Sequence, residues 1–294
     1  MPEFEFQHFS NEILSQCLGI EISVVHSQKL TGGCIHEAFK LSCEAGTFFL
    51  KYNQPEFQTQ FEKEAKALNL LRETGPLKVP EVFQIGIHRN RAYLLMEYID
   101  PVAAGHDFWQ KFGENLAHLH HQTSEDGRYG LSFDNYIGEL PQKNGPNKSW
   151  IDFFIENRLE AQINLANANN RISPEFVKRF HKLYHYLEKL LVEEPPSLLH
   201  GDLWRGNFLC DADGQAVLID PAIYYGNREI ELAFTQLFGG FSPSFYESYE
   251  QIWPLQPGFG ERKDLYNLYP LLVHVNLFGR SYLSGIKKVI KRFT

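Results

Sequence analysis

The segment LLHGDLWRGNFLCDADGQAVLIDPA, Leu198 to Ala222, gathers oxygen-bearing side chains that could do chemistry. Asp202 and Asn207 share a short polar turn, and beyond an apolar hairpin the chain reaches a second acid, Asp220. An acid and an amide are hard oxygen ligands that suit Mg²⁺, which keeps several waters and leans on substrate phosphates. A further acid beside a hydroxyl can orient it and accept its proton. Phosphoryl transfer asks for little covalent work: acceptor and phosphate must lie in line, with the negative charge neutralised. Asp202, Asn207 and Asp220 together hold two acids and an amide, enough for a base and a pair of metal ligands. His200 is expected to organise the loop through backbone bonds rather than to act as acid or base.

Other parts for such chemistry occur upstream in a fitting order. Lys51, in FFLKY, is expected to end the third strand, where an ammonium could reach nucleotide phosphates. Glu64 lies beside the apolar face carrying Phe61 and Leu68, which turns it inward to pair with Lys51, whereas Glu62 points elsewhere. Gly32, Gly33 and Cys34, within TGGC (Thr31 to Cys34), offer backbone N–H groups to phosphate oxygens without side-chain obstruction. The Cys34 thiol could have its pKa lowered there, but it reads first as a small tolerated loop residue. Met96, Glu97, Tyr98 and Ile99 leave an apolar strand at a change in composition, where an adenine could bond to main chain.

The elements that must position these groups can be read from periodicity. SNEILSQCLG reads as a short helix capped by Ser10 or Asn11 and stopped by Gly19. EISVVHSQKL, HEAFKLSC, TFFLKY, EVFQIGIHRN and RAYLLMEYID read as strands, with the helix FQTQFEKEAKALNLLRETG inserted after the third. Beyond Asp100-Pro101 the pattern turns helical: HDFWQKFGENLAHLHHQ, SWIDFFIENRLEAQINLANAN, and a helix capped by Ser173 with Pro174 in its first turn. REIELAFTQLFGG, SPSFYESYEQI and ERKDLYNLYPLLVHVNLFGRSYL continue it, with YGLSFDNYIGELPQKNGPNK as loop. The expected fold class is α+β: a small five-stranded antiparallel lobe with one main helix over residues 1–100, a hinge near 97–101, and a larger, mainly helical lobe over residues 101–294.

Bulk properties bound the partners. The chain has 294 residues, 43% of them hydrophobic and 14% aromatic, enough for a large packed core. A formal charge of −8 argues against a nucleic-acid binder, which needs a basic face. Cys17, Cys34, Cys43 and Cys210 show no CxxC spacing, which fits a reducing, cytoplasmic setting. No signal-like start or bilayer-length apolar run is present, so no membrane partner is expected. The basic tail KKVIKRF reads as a solvated helix end.

The spacing of Asp202, Asn207 and Asp220 is similar to that of a protein-kinase catalytic loop and its metal-binding acid, which implies Asp202 as the base and Asn207 and Asp220 as the metal ligands. Over nearly its whole length the chain resembles the protein-kinase-like phosphotransferases, and within them the fructosamine (ketosamine) kinase family. GGCIHEAF, FFLKYN, EAKAL, DNYIGELPQKN, HGDLWRGN, IDPAIYYGNREIELA, LFGGF and LYPLLVHVNLFG carry the resemblance. HGD alone fits aminoglycoside, choline and homoserine kinases as well; Trp204, DPA and the DN…G…PQ.N loop point to the fructosamine branch. The resemblance implies a two-lobed fold, with ATP and Mg²⁺ in the cleft. It also implies phosphorylation of the 3-hydroxyl of a ketosamine, such as a fructosyl- or ribulosyl-amine, free or on a glycated protein lysine. Deglycation repair is the implied role. A catalytically silent, redox-regulatory nucleotide binder is the rival of another class; retention of Lys51, Asp202, Asn207 and Asp220 argues against it.

Against the family pattern, Trp204 stands where protein kinases carry a phosphate-binding Lys, leaving Arg205 as the cation that could substitute. Relatives more often have a small residue at Arg205 and His at Asn227, and both changes are expected on the acceptor side. Trp204, Arg205, His274 and Asn276 are the candidate acceptor contacts. Arg228 and Glu229 are expected to pair behind the loop. Glu231, where relatives usually have Asp, is expected to bond the loop backbone.

Overall fold

A computed structural model describes residues 3–30 and 36–293. Gly32, Gly33 and Cys34 lie outside the described residues. The small lobe begins with α1 (Glu3–Leu18), followed by β1 (His26–Leu30), β2 (Glu37–Cys43), β3 (Gly46–Asn53), α2 (Gln58–Thr74), β4 (Val82–His88) and β5 (Arg91–Glu97). Its five strands form one antiparallel sheet in the order β1-β2-β3-β5-β4. Side chains alternate across a strand, so β3 sends Phe48, Leu50 and Tyr52 to a cluster with Phe6, Phe9, Ile13 and Leu14 of α1. Lys51, between them in sequence, therefore faces the other way, toward α2. There Phe61, Ala65, Leu68 and Leu71 are buried, one stripe of an amphipathic helix.

Two local expectations fail in this lobe. Helix α1 starts at Glu3, not at Ser10, because Phe6 and Phe9 extend the apolar stripe by two turns. Ser10 caps nothing; its buried hydroxyl donates to the Phe6 carbonyl at 2.8 Å. The first strand is also shorter than EISVVHSQKL suggests. Residues 22–24 run along α1 instead, where Ser15 Oγ accepts from the Ile22 N–H and Asn11 Oδ1 from the Val24 N–H, each at 2.8 Å.

The larger lobe contains α3 (Phe108–His120), the hairpin β6 (Asn135–Ile137) and β7 (Leu140–Gln142), α4 (Trp150–Phe153), α5 (Ala161–Ala168) and α6 (Pro174–Leu190). A π-helical stretch, Phe154–Glu160, joins α4 to α5. Ser173 caps α6 as expected, accepting from the Phe176 N–H at 3.2 Å, with Pro174 in the first turn. Four short strands follow: β8 (Ser197–Leu199), β9 (Phe208–Cys210), β10 (Ala216–Leu218) and β11 (Tyr224–Gly226). The chain ends in α7 (Arg228–Thr235), α8 (Pro243–Ile252), α9 (Phe259–Tyr266), α10 (Leu268–Phe278) and α11 (Leu283–Ile290). Strand β8 pairs with β11 and β9 with β10, so the polar turn 200–207 and the acid at 220 hang side by side from two small ladders. The α+β class, a five-stranded antiparallel sheet lobe with a mainly helical one, is as expected.

Behind the turn, Arg228 and Glu229 do not pair with each other. Adjacent helical residues point in different directions, and each finds its own partner. Arg228 grips Glu194 through two bonds of 2.9 Å, while Glu229 takes two bonds of 2.6 and 2.7 Å from Arg262. Arg228 is fully buried and also donates to the carbonyls of Trp253 and Pro254. Removing one partner of such a pair strands a buried charge. Arg228→Met should therefore lower unfolding free energy by about 3–5 kcal/mol, read as a lower denaturant midpoint; an unchanged midpoint would contradict this reading of α7.

Candidate active site

Lys51 is the junction of the site. Its ammonium donates to Glu64 of α2 at 2.7 Å and also contacts the Asp220 carboxylate, so one cation bridges the two lobes. Burial opposes a charged ammonium, but Asp220 and Glu64 outweigh it and hold the Lys51 pKa above its ordinary value. Burial likewise pushes Asp220 up, yet Lys51 prevails and keeps its carboxyl below the usual carboxylate range. Lys51 and Glu64 are nearly enclosed, whereas 45% of the Asp220 side chain stays open. Asp220 is thus charged, anchored on one side and accessible on the other.

Backbone bonds bring the two segments of the opening motif together. The Ile219 N–H donates to the Asn207 carbonyl at 3.0 Å, and the Ala222 N–H to the His200 carbonyl at 2.9 Å. Asp220 itself has φ 53°, a left-handed conformation that Asp tolerates better than most residues. That strain next to Pro221 turns the carboxylate out of the β10 direction. Asn207 Nδ2 donates at 2.8 Å to both the carbonyl and the carboxylate of Asp202. With its N–H groups so occupied, the amide oxygen of Asn207 remains for a cation.

The Asp202 carboxyl is raised well above its ordinary pKa: burial acts first, the Asn207 bond opposes it, and the charges of Asp220 and Glu231 add to the rise. Negative charge is therefore in excess around this turn. A divalent cation between the open Asp220 oxygen and the Asn207 amide would relieve it, and in that respect the residues fit Mg²⁺. Among the described residues no group of three His, Cys, Asp or Glu side chains could hold a metal alone. Mg²⁺ does not require one, since water and phosphate oxygens complete its shell.

The turn is held from behind. Glu231 accepts from the N–H groups of His200 and Gly201 at 3.1 and 2.7 Å, as expected of it. His120 of α3 adds a bond to Glu231 at 2.9 Å, and the Tyr249 hydroxyl bonds the other ring nitrogen of His120 at 2.8 Å. Burial would raise the Glu231 carboxyl, but His120, His200 and the Gly201 amide hold it below its usual range. His200 donates from Nε2 to the Ile219 carbonyl at 2.9 Å and accepts from the Asp202 N–H at 3.3 Å. It is fully buried and organises the loop, as expected.

A second brace comes from the β6–β7 hairpin, in a segment expected to be loop. Gln142 donates to the Ala222 carbonyl and Asn135 to the Ile223 carbonyl, each at 2.9 Å. Tyr269 donates to Gln142 at 2.6 Å, and Asn144 links Asn135 to the buried Arg158. These partners were missed because their contacts span many residues of chain. The quoted DN…PQ.N spacing was their only local signal.

The remaining candidates are placed unevenly. Trp204 is 39% exposed, and a Cβ at Gly206 would come within 2.4 Å of its ring, so the glycine lets the indole fold back over the turn. Arg205 is exposed beside it. His274 donates from Nδ1 to the Pro270 carbonyl at 2.7 Å and packs against Phe238 and Tyr282. Asn276 spends its amide on Gln162, 3.0 Å from the carbonyl and 2.8 Å from Oε1, tying α10 to α5. Asn227 does not reach an acceptor side: it is fully buried, caps α7 through the Glu229 N–H at 2.9 Å and donates to the Val192 carbonyl. At the hinge Met96 is buried, and the Glu97 N–H is taken by the Glu81 carbonyl at 2.7 Å. Tyr98 lies under the Lys40 ammonium, 4.2 Å from its ring centre, with Ile99 next in the chain. A separate cavity of about 600 Å³ touches Glu97 to Asp100, but none of Lys51, Asp202, Asn207 or Asp220 lines it.

A paired lysine, two acids and an amide gathered at one cleft of a two-lobed α+β frame define a kinase-like phosphotransferase. The chain belongs to the fructosamine kinase family, whose model matches residues 6–294. It is 40% identical to a probable ketoamine kinase of Vibrio parahaemolyticus over 95% of this chain and 96% of that one. It is 36% identical to the chloroplastic protein-ribulosamine 3-kinase of Oryza sativa subsp. indica, over 95% of this chain and 81% of that protein. A crystal structure of a candidate fructosamine-3-kinase from Haemophilus somnus 129PT superimposes with a TM-score of 0.88 at 31% identity, covering 97% of each chain. An aminoglycoside phosphotransferase, at 16% identity and a TM-score of 0.61 over 96% of this chain and 98% of that one, shares the fold. The protein is accordingly an ATP-dependent phosphotransferase. Among the described residues no helix is long and apolar enough to cross a membrane.

Gly201 sets the turn against its neighbour. Its φ is +82°, and a Cβ there would meet the Ala222 carbonyl oxygen at 2.0 Å. Gly201→Ala must push the 200–207 turn away from the Asp220 segment, and steady-state assays should show kcat reduced by about 100-fold. Wild-type kcat in a folded variant would contradict this placement.

Proposed function

We propose that this protein transfers the γ-phosphoryl group of ATP, with Mg²⁺, to the 3-hydroxyl of a ketosamine. Fructosyl- and ribulosyl-amines, free or on glycated protein lysines, are the acceptors, and deglycation repair in a cytoplasmic setting is the role. The observation that carries this reading is the gathering of Lys51, Glu64 and Asp220 into one ion-paired group while Asn207 holds Asp202 beside it. The names of the ketoamine and ribulosamine kinases it resembles support the acceptor class.

In this reading residues 1–100 form the nucleotide-binding lobe and residues 101–294 the catalytic and acceptor-binding lobe. Lys51, kept in place by Glu64, steadies the nucleotide phosphates, and the main chain of Met96 to Ile99 receives the adenine. Asp220 and the Asn207 amide oxygen hold the metal, which when bound neutralises phosphate charge. Asp202 receives the acceptor hydroxyl by hydrogen bond and takes its proton as the new P–O bond forms. Its raised pKa suits a base, because it increases proton affinity at the moment of transfer. Trp204 offers an exposed face for the sugar or amine, with Arg205 beside it. Gly32, Gly33 and Cys34 are assigned to phosphate cover by sequence. His274, partly buried at the end of an aromatic cluster, is a further acceptor contact; Asn276 we read as a tie between helices.

Asp202→Asn should abolish ATP consumption with ketosamines while nucleotide affinity stays within a few-fold; retained turnover would reject the assigned role. Across a panel of ketosamines, aminoglycosides and choline, consumption should occur with the ketosamines alone. The acid limb of kcat/KM gives a second check. A carboxyl held above its ordinary value of about 3.9 stays protonated, and so inactive as a base, to higher pH. Activity should therefore fall with decreasing pH well above pH 4, and a limb at or below that value would contradict the role.

A further inference from the structure

His36 immediately precedes β2, and the pleat decides which way it points. Its neighbour Glu37 faces α1: that carboxylate accepts from Lys29 at 3.1 Å and from the Tyr52 hydroxyl, and Tyr52 belongs to the α1 cluster. His36 and Ala38 must then face the opposite side of the sheet. The register pairs Glu37 with Tyr52 and Ala38 with Lys51, so His36 comes opposite Asn53 on the face that carries Lys51. The charges of Lys51 and Asp220 both bear on its ring.

The ring is fixed on one side and unsatisfied on the other. Asn53 Nδ2 lies 3.0 Å from Nδ1; an amide nitrogen can only donate, so Nδ1 accepts and the ring proton sits on Nε2. Phe57 and Phe61 pack the imidazole edge-on and tilted, at 5.3 and 4.7 Å between centres. Burial, reinforced by the Lys51 charge and opposed by Asp220, lowers its pKa to about 4, so the ring is neutral at physiological pH. Its Nε2–H is buried and has no hydrogen-bond partner among the described residues. Native structures seldom leave such a donor unpaired, and here it belongs to the sheet face carrying the phosphate-steadying lysine.

We propose that His36 is a nucleotide-binding residue whose Nε2–H donates to an oxygen of the ATP polyphosphate, supplementing Lys51. The inference rests on the cleft being the nucleotide site. It also bears on a gap in the site, since Trp204 occupies the position where a protein kinase has a phosphate-binding lysine. A neutral donor with its tautomer set by Asn53 supplies direction rather than charge. Nε2 is buried in this structure, so the bond requires it to become accessible when the phosphates bind.

The test is calorimetric titration of the full chain with Mg·AMP-PNP and, separately, with adenosine. His36→Phe keeps an aromatic ring between Phe57 and Phe61 but removes the donor; His36→Gln keeps a donor. His36→Phe should bind Mg·AMP-PNP about 10-fold more weakly than wild type, with adenosine affinity unchanged, and His36→Gln should recover part of the loss. Wild-type Mg·AMP-PNP affinity in His36→Phe, or an equal loss for adenosine, would overturn the inference and leave the nucleotide site standing. No Mg·AMP-PNP binding by the wild-type protein would overturn the nucleotide site itself, and this inference with it.

Discussion

One buried ammonium organises this protein. Lys51 exposes 10% of its side chain and neutralises Glu64 from its own lobe and Asp220 from the other. A charge so enclosed is tolerable only while its partners stay in place. The demand therefore fixes the rotation of α2, through Glu64, and the approach of the β10–β11 segment, through Asp220. Lys51 can meet both because β3 alternation aims it away from the apolar α1 cluster and across the sheet toward α2. The lobes are linked further by Lys78, whose ammonium binds Asp211 and Asp213 at 2.6 and 3.0 Å and so pins the β9–β10 hairpin.

Around that cation, stiffness is supplied by buried polar chains rather than by apolar packing alone. Arg228, Tyr249, His120 and Glu231 run in sequence from the core to the amides of the 200–207 turn. Gln142 and Asn135 clamp the carbonyls of Ala222 and Ile223 from the opposite side. A satisfied network of this kind is worth more than its separate bonds and is costly to break in part. Phosphoryl transfer depends on positioning and charge neutralisation far more than on covalent work by the protein. Rigid support of Asp202 and Asn207 is thus the mechanical counterpart of the chemistry proposed for them.

What could be read from the sequence follows local rules. Its place near the end of the third strand singled out Lys51, helix periodicity predicted the Lys51–Glu64 pair, and spacing predicted the shared turn of Asp202 and Asn207. Partners distant in sequence were not legible. Nothing local says that Arg228 chooses Glu194 over Glu229, that Asn227 turns inward to Val192, or that His120 supports Glu231. The start of α1 was misplaced because Ser10 resembles an N-cap, although Phe6 and Phe9 carry the apolar stripe two turns further back. The DN…PQ.N spacing was visible, but its role in clamping the Asp220 segment needed the folded neighbours.

We propose that Asp220, tied to Lys51 here, becomes a metal ligand beside Asn207 when nucleotide binds. A crystal structure with Mg²⁺ and AMP-PNP tests it most directly. A metal should lie about 2.1 Å from an Asp220 carboxylate oxygen and the Asn207 amide oxygen, with Lys51 on the phosphates and still paired to Glu64. Nucleotide bound away from Lys51, or a metal with neither Asp220 nor Asn207 in its shell, would contradict it.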